Sequence, residues 1–166
     1  MKVPLSWLKE YVPISISAKD LAHKLTMAGT EIGGIETIGD SWQNILVGLV
    51  IRVEPHPNAD RLKLATVDIG DDRITVVCGA PNVAEGQKVA FAKVGASLFD
   101  AHSSSLQTLK AARIRGVLSQ GMICSERELN IGDDHTGILV LESEAPVGLP
   151  LFQHLGDAIL EAEVTP

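Results

Sequence analysis

Residues 42–141 are divided into short apolar runs that alternate with a period of two, and this pattern limits what the chain can fold into. Residues 45–53 read as one strand. Past His56-Pro57-Asn58-Ala59-Asp60-Arg61-Leu62, the residues Leu62, Leu64, Thr66 and Asp68 alternate with Lys63, Ala65, Val67 and Ile69. Gly70-Asp71-Asp72 then turns the chain and residues 73–78 return, which predicts a β-hairpin. Further short runs follow at 88–94, 112–117, 120–124 and 138–141, each bounded by glycine, proline or polar turns.

Five or so short strands within roughly a hundred residues suit a small closed barrel, and the OB-fold is the common barrel of that size. The expected class is mostly β with short helices (α+β), a five-stranded OB-fold barrel inserted into a small, incomplete α+β domain. At 45% apolar residues the chain is globular. No apolar run approaches the roughly 20 residues of a membrane span. The start, Met1-Lys2-Val3-Pro4, does not read as a signal peptide, so a cytoplasmic protein without membrane contact is expected. Cys78 and Cys124 sit in apolar strands with no histidine at ligand spacing, which favours core thiols over a metal site.

The net charge of −7 is unevenly placed. The acidic excess lies in residues 142–166, with five acids and no base, while residues 42–141 hold ten basic and eleven acidic residues. Within residues 86–118, Lys88, Lys93, Lys110, Arg113 and Arg115 face Asp100 alone. Such a patch suits a phosphate backbone, whose binding strengthens with each phosphate neutralised; solvated strand faces are the plainer alternative.

The flanks read as a second unit. Residues 4–12 form a short amphipathic helix with Leu5, Leu8 and Val12 on one face and Trp7 or Tyr11 beside it. Ser17 caps a second helix with Asp20 three residues on, Leu21, Leu25 and Ala28 follow, and Gly29 stops it. Residues 31–38 turn extended, and a final alternating run at 158–164 is expected to pair with 33–38. This divides the chain into 1–41, a barrel at 42–148 and a return at 149–166. The absence of a closing element after 164 suggests a segment of a longer protein.

Catalytic constellations are not evident. His56-Pro57-Asn58-Ala59-Asp60 reads as a structural corner built from turn makers, and 79–82 as a tight strand exit. Ser119 and Gln120 lie between two apolar strands, where OB-folds present ligand-binding loops. Neither Ser119 nor Ser125 has a base at a recognisable spacing, the five histidines do not cluster, and phosphate-cradling glycine motifs are absent. Ser125 with Glu128 reads as a capping box opening one helical turn, and His102 to Ser105 as a mobile loop.

Three segments together carry a family resemblance: His56-Pro57-Asn58-Ala59-Asp60-Arg61-Leu62, Val77-Cys78-Gly79-Ala80-Pro81-Asn82, and Ile114-Arg115-Gly116-Val117 through Ser119-Gln120-Gly121-Met122-Ile123-Cys124-Ser125. They resemble the tRNA-binding OB module shared by several synthetases and their accessory proteins. Met1-Lys2-Val3, Ser6-Trp7-Leu8, Tyr11-Val12, Leu21, Leu25, Gly29, Glu31 and the closing Glu163-Val164-Thr165-Pro166 are similar to the N-terminal region of bacterial phenylalanyl-tRNA synthetase beta subunits. The resemblance implies a ligase that uses ATP and magnesium to join phenylalanine to tRNA, assembled with alpha subunits as an alpha2-beta2 heterotetramer. It also implies that this region is noncatalytic, with no resident cofactor, because catalysis belongs to the alpha subunit and editing to a later part of the beta subunit.

The expected role is therefore auxiliary tRNA binding. Lys88, Lys93, Lys110, Arg113 and Arg115 would meet phosphates, and Ser119 and Gln120 would bond to sugar or base edges. One feature departs from an autonomous binder: aromatic residues make up only 4% of the chain, and Phe91 and Phe99 are the only barrel phenylalanines. A docking module within the synthetase is the second reading. A freestanding OB-fold tRNA-binding chaperone is the third, with the N-terminal helices against it.

Overall fold

The computed structural model describes residues 1–164; Thr165 and Pro166, the end of the closing motif named above, lie outside the described residues. The chain forms two units, Met1–Asp40 with the chain from Leu155 onward, and Ser41–His154. The first opens with β1 (Lys2–Pro4), α1 (Leu5–Tyr11), α2 (Ala18–Met27) and β2 (Ile32–Ile38). The second carries β3 (Ile45–Pro55), β4 (Lys63–Asp68), β5 (Arg73–Cys78), β6 (Lys88–Lys93), β7 (Ser97–Asp100) and β8 (Ser105–Thr108). It continues with β9 (Ala112–Ile114), β10 (Val117–Ser119), β11 (Gly121–Ile123), β12 (Val140–Leu141) and α3 (Leu151–Leu155), after which β13 (Asp157–Ala162) returns to the first unit.

In the first unit β13 lies between β1 and β2, antiparallel to both. The expected pairing of the last alternating run with β2 is present, from Asp157 opposite Ile38 to Ala162 opposite Ile32. Ser17 caps α2 by accepting the Asp20 N–H at 3.1 Å, and Gly29 leaves the helix at φ +101°. Asp157 fixes the start of α1 by accepting the Ser6 N–H and hydroxyl. β1 was not expected, because three residues directly before a helix carry no readable period. Only Leu5 of α1 is buried, while Trp7 and Tyr11 are 63% and 84% exposed.

The barrel is organised by β3, which pairs with β6 over residues 45–49 and with β4 over 49–55. A register shift between Val50 and Arg52 lets this single long strand serve both neighbours, since a bulge bends and twists the strand that carries it. The sheet order β11-β6-β3-β4-β5 is that of a nearly closed OB-like barrel. Its interior holds Val50, Ala65, Val67, Val76, Val89 and Phe91, all without solvent exposure. Cys78 and Cys124 are buried thiols, and burial raises the pKa of both.

Phe91 is packed against two glycines. A Cβ on Gly48 would come within 3.4 Å of the Phe91 Cβ and 2.4 Å of Val67, and one on Gly121 would meet the Phe91 ring at 2.4 Å and the Ala92 carbonyl at 2.9 Å. The backbone oxygen cannot rotate away, so the ring has its place only if residue 121 lacks a side chain.

Two expectations are corrected. Residues 112–117 are not one strand: β9 and β10 form a hairpin that turns at Arg115 and Gly116. His102 to Ser105 is not a free loop but the turn of the β7–β8 hairpin and the start of β8. Asp100 holds that turn by accepting the His102 N–H and the Ser103 hydroxyl, both at 3.0 Å, and these bonds lower its pKa. Val47 donates to the Leu149 carbonyl and Leu46 bridges to Pro150, which places that segment beside β3.

Gly121→Ala is expected to destabilise the protein by about 1–3 kcal/mol, as overpacking does, read as a lower midpoint of thermal unfolding. An unchanged midpoint would contradict the packing assigned to Phe91.

Candidate nucleic-acid interface

The barrel has a seam. β5 and β11 lie side by side at the two ends of the sheet order without a strand ladder between them. Ser119, at the end of β10, joins them: its hydroxyl accepts the Val77 N–H and donates to the Gly121 carbonyl, each at 3.2 Å. Beside this junction the unzipped edges leave a groove of about 360 Å³. Residues 77–80 and Gly121, Met122 and Ile123 line it, with Leu109, Lys110, Ala112 and Ile114 from the neighbouring hairpin. Ser119, Ser125, Glu128 and residues 135–138 complete the lining.

Glu128 is fixed within that lining, its carboxylate accepting the Ser125 N–H at 2.7 Å and the Ser125 hydroxyl. This is the acidic half of the expected capping pattern, yet residues 126–130 form turns and no helix, and the chain leaves at Asn130 with φ 58°. Trp42 secures the same turn by donating its indole N–H to the Leu129 carbonyl at 3.0 Å.

The His56 corner serves as a latch. Nδ1 of His56 accepts the Asn58 N–H at 3.0 Å, which places the ring proton of the neutral imidazole on Nε2. Nε2 then donates to the Ile114 carbonyl, also at 3.0 Å. Asn58 adds a bond from Nδ2 to the Arg115 carbonyl at 3.0 Å. The β3–β4 loop thereby grips the tip of the β9–β10 hairpin, whose two turn residues, Arg115 at φ 52° and Gly116 at φ 88°, are both left-handed. Such a turn matches the strand twist and usually carries Asn-Gly, so an arginine at its first position is the costlier choice.

The structure separates the sequence-predicted residues. Lys110, Arg113, Arg115 and Gln120 are exposed on or beside the hairpin, and Lys110 lines the groove. Arg113 reaches only the Gly116 carbonyl, at 3.4 Å. Lys93 lies opposite Gly121 in the ladder and is half-buried. Lys88 sits at the other end of β6, about 16 Å away at roughly 3.3 Å per strand residue, and its ammonium bonds to the Ala145 carbonyl at 2.6 Å. That bond is a structural contact of the barrel and engages one of the three ammonium donors. Ser119 lines the groove but is 4% exposed, and its hydroxyl is engaged both as acceptor and as donor within the barrel.

Arg61 and Lys63 were not expected at the site. The latch places their loop beside the hairpin tip, and Lys63 faces the groove residue Cys78 across the β4–β5 ladder. Arg61 lies inside the His56–Leu62 motif and Lys63 directly after it, but no local pattern ties either one to the hairpin. Among the described residues, none of Arg61, Lys63, Lys110, Arg113 and Arg115 takes part in an ion pair. No group of three or more His, Cys, Asp or Glu among the described residues could hold a metal ion. No described helix is long and apolar enough to cross a membrane.

The chain is 51% identical over its whole length to the phenylalanine–tRNA ligase beta subunit of Dehalococcoides mccartyi and 44% identical to that of Yersinia pestis. It spans about a fifth of the length of these relatives, 20% and 21% respectively. A solved structure, the MetRS related protein from Pyrococcus horikoshii, superposes with a TM-score of 0.44 at 26% identity, over 63% of this chain and 85% of that one. The family model described as "Putative tRNA binding domain" matches residues 45–150, the barrel with its groove, latch and hairpin. The chain belongs to this tRNA-binding domain family.

Proposed function

We propose that this chain is the auxiliary tRNA grip of a phenylalanine–tRNA ligase beta subunit, with the latched β9–β10 hairpin as its phosphate-contacting edge. The observation that carries the reading is a set of exposed or half-buried cations without ion-pair partners among the described residues: Lys110 in the groove lining, Lys63 opposite the lining residue Cys78, and Arg61, Arg113 and Arg115 on the latched loop and hairpin. Cations left unpaired by their own protein are available to displace counterions from a nucleic-acid backbone, and each phosphate contact adds to the salt dependence of binding. Lys93 and Gln120 flank the groove at the β6–β11 end and extend the contact.

Within the full ligase the region would be noncatalytic and would work in the cytoplasm. ATP, magnesium and the joining of phenylalanine to tRNA belong in this reading to other parts of an alpha2-beta2 assembly. The chain's contribution is to hold and orient the tRNA.

Fluorescence anisotropy of this chain with tRNA at several salt concentrations tests the grip. Affinity is expected to fall steeply with salt, and charge reversal of Arg113 and Arg115 together to reduce the logarithmic salt slope by about 1–2 while the barrel stays folded. Binding that does not respond to salt or to the double reversal would remove the hairpin from the interface.

Arg115→Asn tests why an arginine occupies a left-handed turn position. The replacement suits the turn better, so the thermal midpoint is expected to rise while tRNA affinity falls. A variant with unchanged affinity would show that Arg115 has no part in the grip.

A further inference from the structure

We infer that the seam groove is a pocket for one unstacked RNA base, so that the grip takes an unpaired nucleotide rather than a duplex backbone alone. This rests on the tRNA-grip reading and specifies its ligand. The groove, about 360 Å³, lies within the range of small-ligand clefts and is walled by apolar side chains, with Leu109, Ile114, Met122 and Ile138 among them. Lys110 lies in its lining, and Arg113 and Arg115 stand on the hairpin that forms one wall. Apolar walls with a cationic border match a nucleotide, whose base is a flat, largely apolar face and whose phosphates are charged.

The groove also sorts the two parts of that nucleotide. Glu128 is the one acidic residue in the lining, and its carboxylate is anchored by Ser125. A phosphate entering there would meet a like charge, so phosphates are confined to the border. A base meets instead an acceptor suited to the amino groups of adenine, cytosine and guanine. The lining holds no Phe, Tyr or Trp, and the His135 imidazole is its one aromatic ring, so a base would rest mainly on aliphatic side chains with His135 as the available stacking surface.

The test leaves the protein intact and changes the probe. A single-stranded RNA of about twelve nucleotides, within the length an OB-fold covers, is titrated alongside the same sugar–phosphate chain with its bases removed. Because both probes carry the same charge, a phosphate grip alone binds them equally. A base pocket is expected to bind the complete RNA at least about fivefold more tightly, the lower end of what one stacked base contributes.

Ala112→Phe places a ring in the groove without removing a cation and is expected to abolish that difference while the salt slope stays unchanged. Equal affinity for the two probes in the unmodified protein, or no binding of the complete RNA, would overturn the pocket. Salt-dependent tRNA binding in the same preparation would then show that the grip stands without it, whereas its loss would overturn the grip as well.

Discussion

The interface depends on a barrel that is closed by a side chain where a strand ladder would otherwise run. β5 and β11 meet without backbone pairing, and the Ser119 hydroxyl spans them with one accepted and one donated bond. Backbone groups at such an edge must find partners, and a continuous ladder would have satisfied them all and sealed the surface. A single hydroxyl satisfies two and leaves the groove open beside it. The closure of the fold and the availability of a site therefore come from the same residue.

The rest of the barrel keeps that arrangement in register. Phe91 fills the interior beside Gly48 and Gly121, and the close approach at Gly121 sets the path of β11 along the seam. The bulged β3 carries β4 on one half and β6 on the other, and its end leads into the His56 latch. His56 and Asn58 then convert a two-stranded hairpin, which alone would be marginal, into a fixed edge presenting Arg113 and Arg115. Rigid support is what allows an arginine to hold a left-handed turn position that costs backbone energy.

Much of this was legible in the sequence. The alternation of residues 62–69 and 73–78 placed the β4–β5 hairpin almost to the residue, and Ser17 with Asp20 marked the start of α2. The β9–β10 turn was missed because Arg115 occupies a position where turn chemistry leads one to seek Asn or Gly. Ser119 was assigned to RNA because a polar residue between apolar strands reads as exposed; only the three-dimensional seam shows that its hydroxyl is used internally. Lys88 and Lys93 are five positions apart in sequence, and charge counting merges them, whereas an extended strand carries them to opposite ends of the barrel. Arg61 and Lys63 joined the site through hydrogen bonds between segments more than fifty residues apart, which no local pattern records.

The central claim is that RNA meets the latched hairpin and the seam groove. Amide chemical-shift mapping of the isotope-labelled chain on addition of tRNA tests it residue by residue. The account predicts perturbations at residues 58–63, 77–80 and 110–123, with the Lys88–Ala145 end of the barrel and the α1 face of Trp7 and Tyr11 unmoved. Perturbations confined to those two latter regions would contradict it and place the interface elsewhere on the chain.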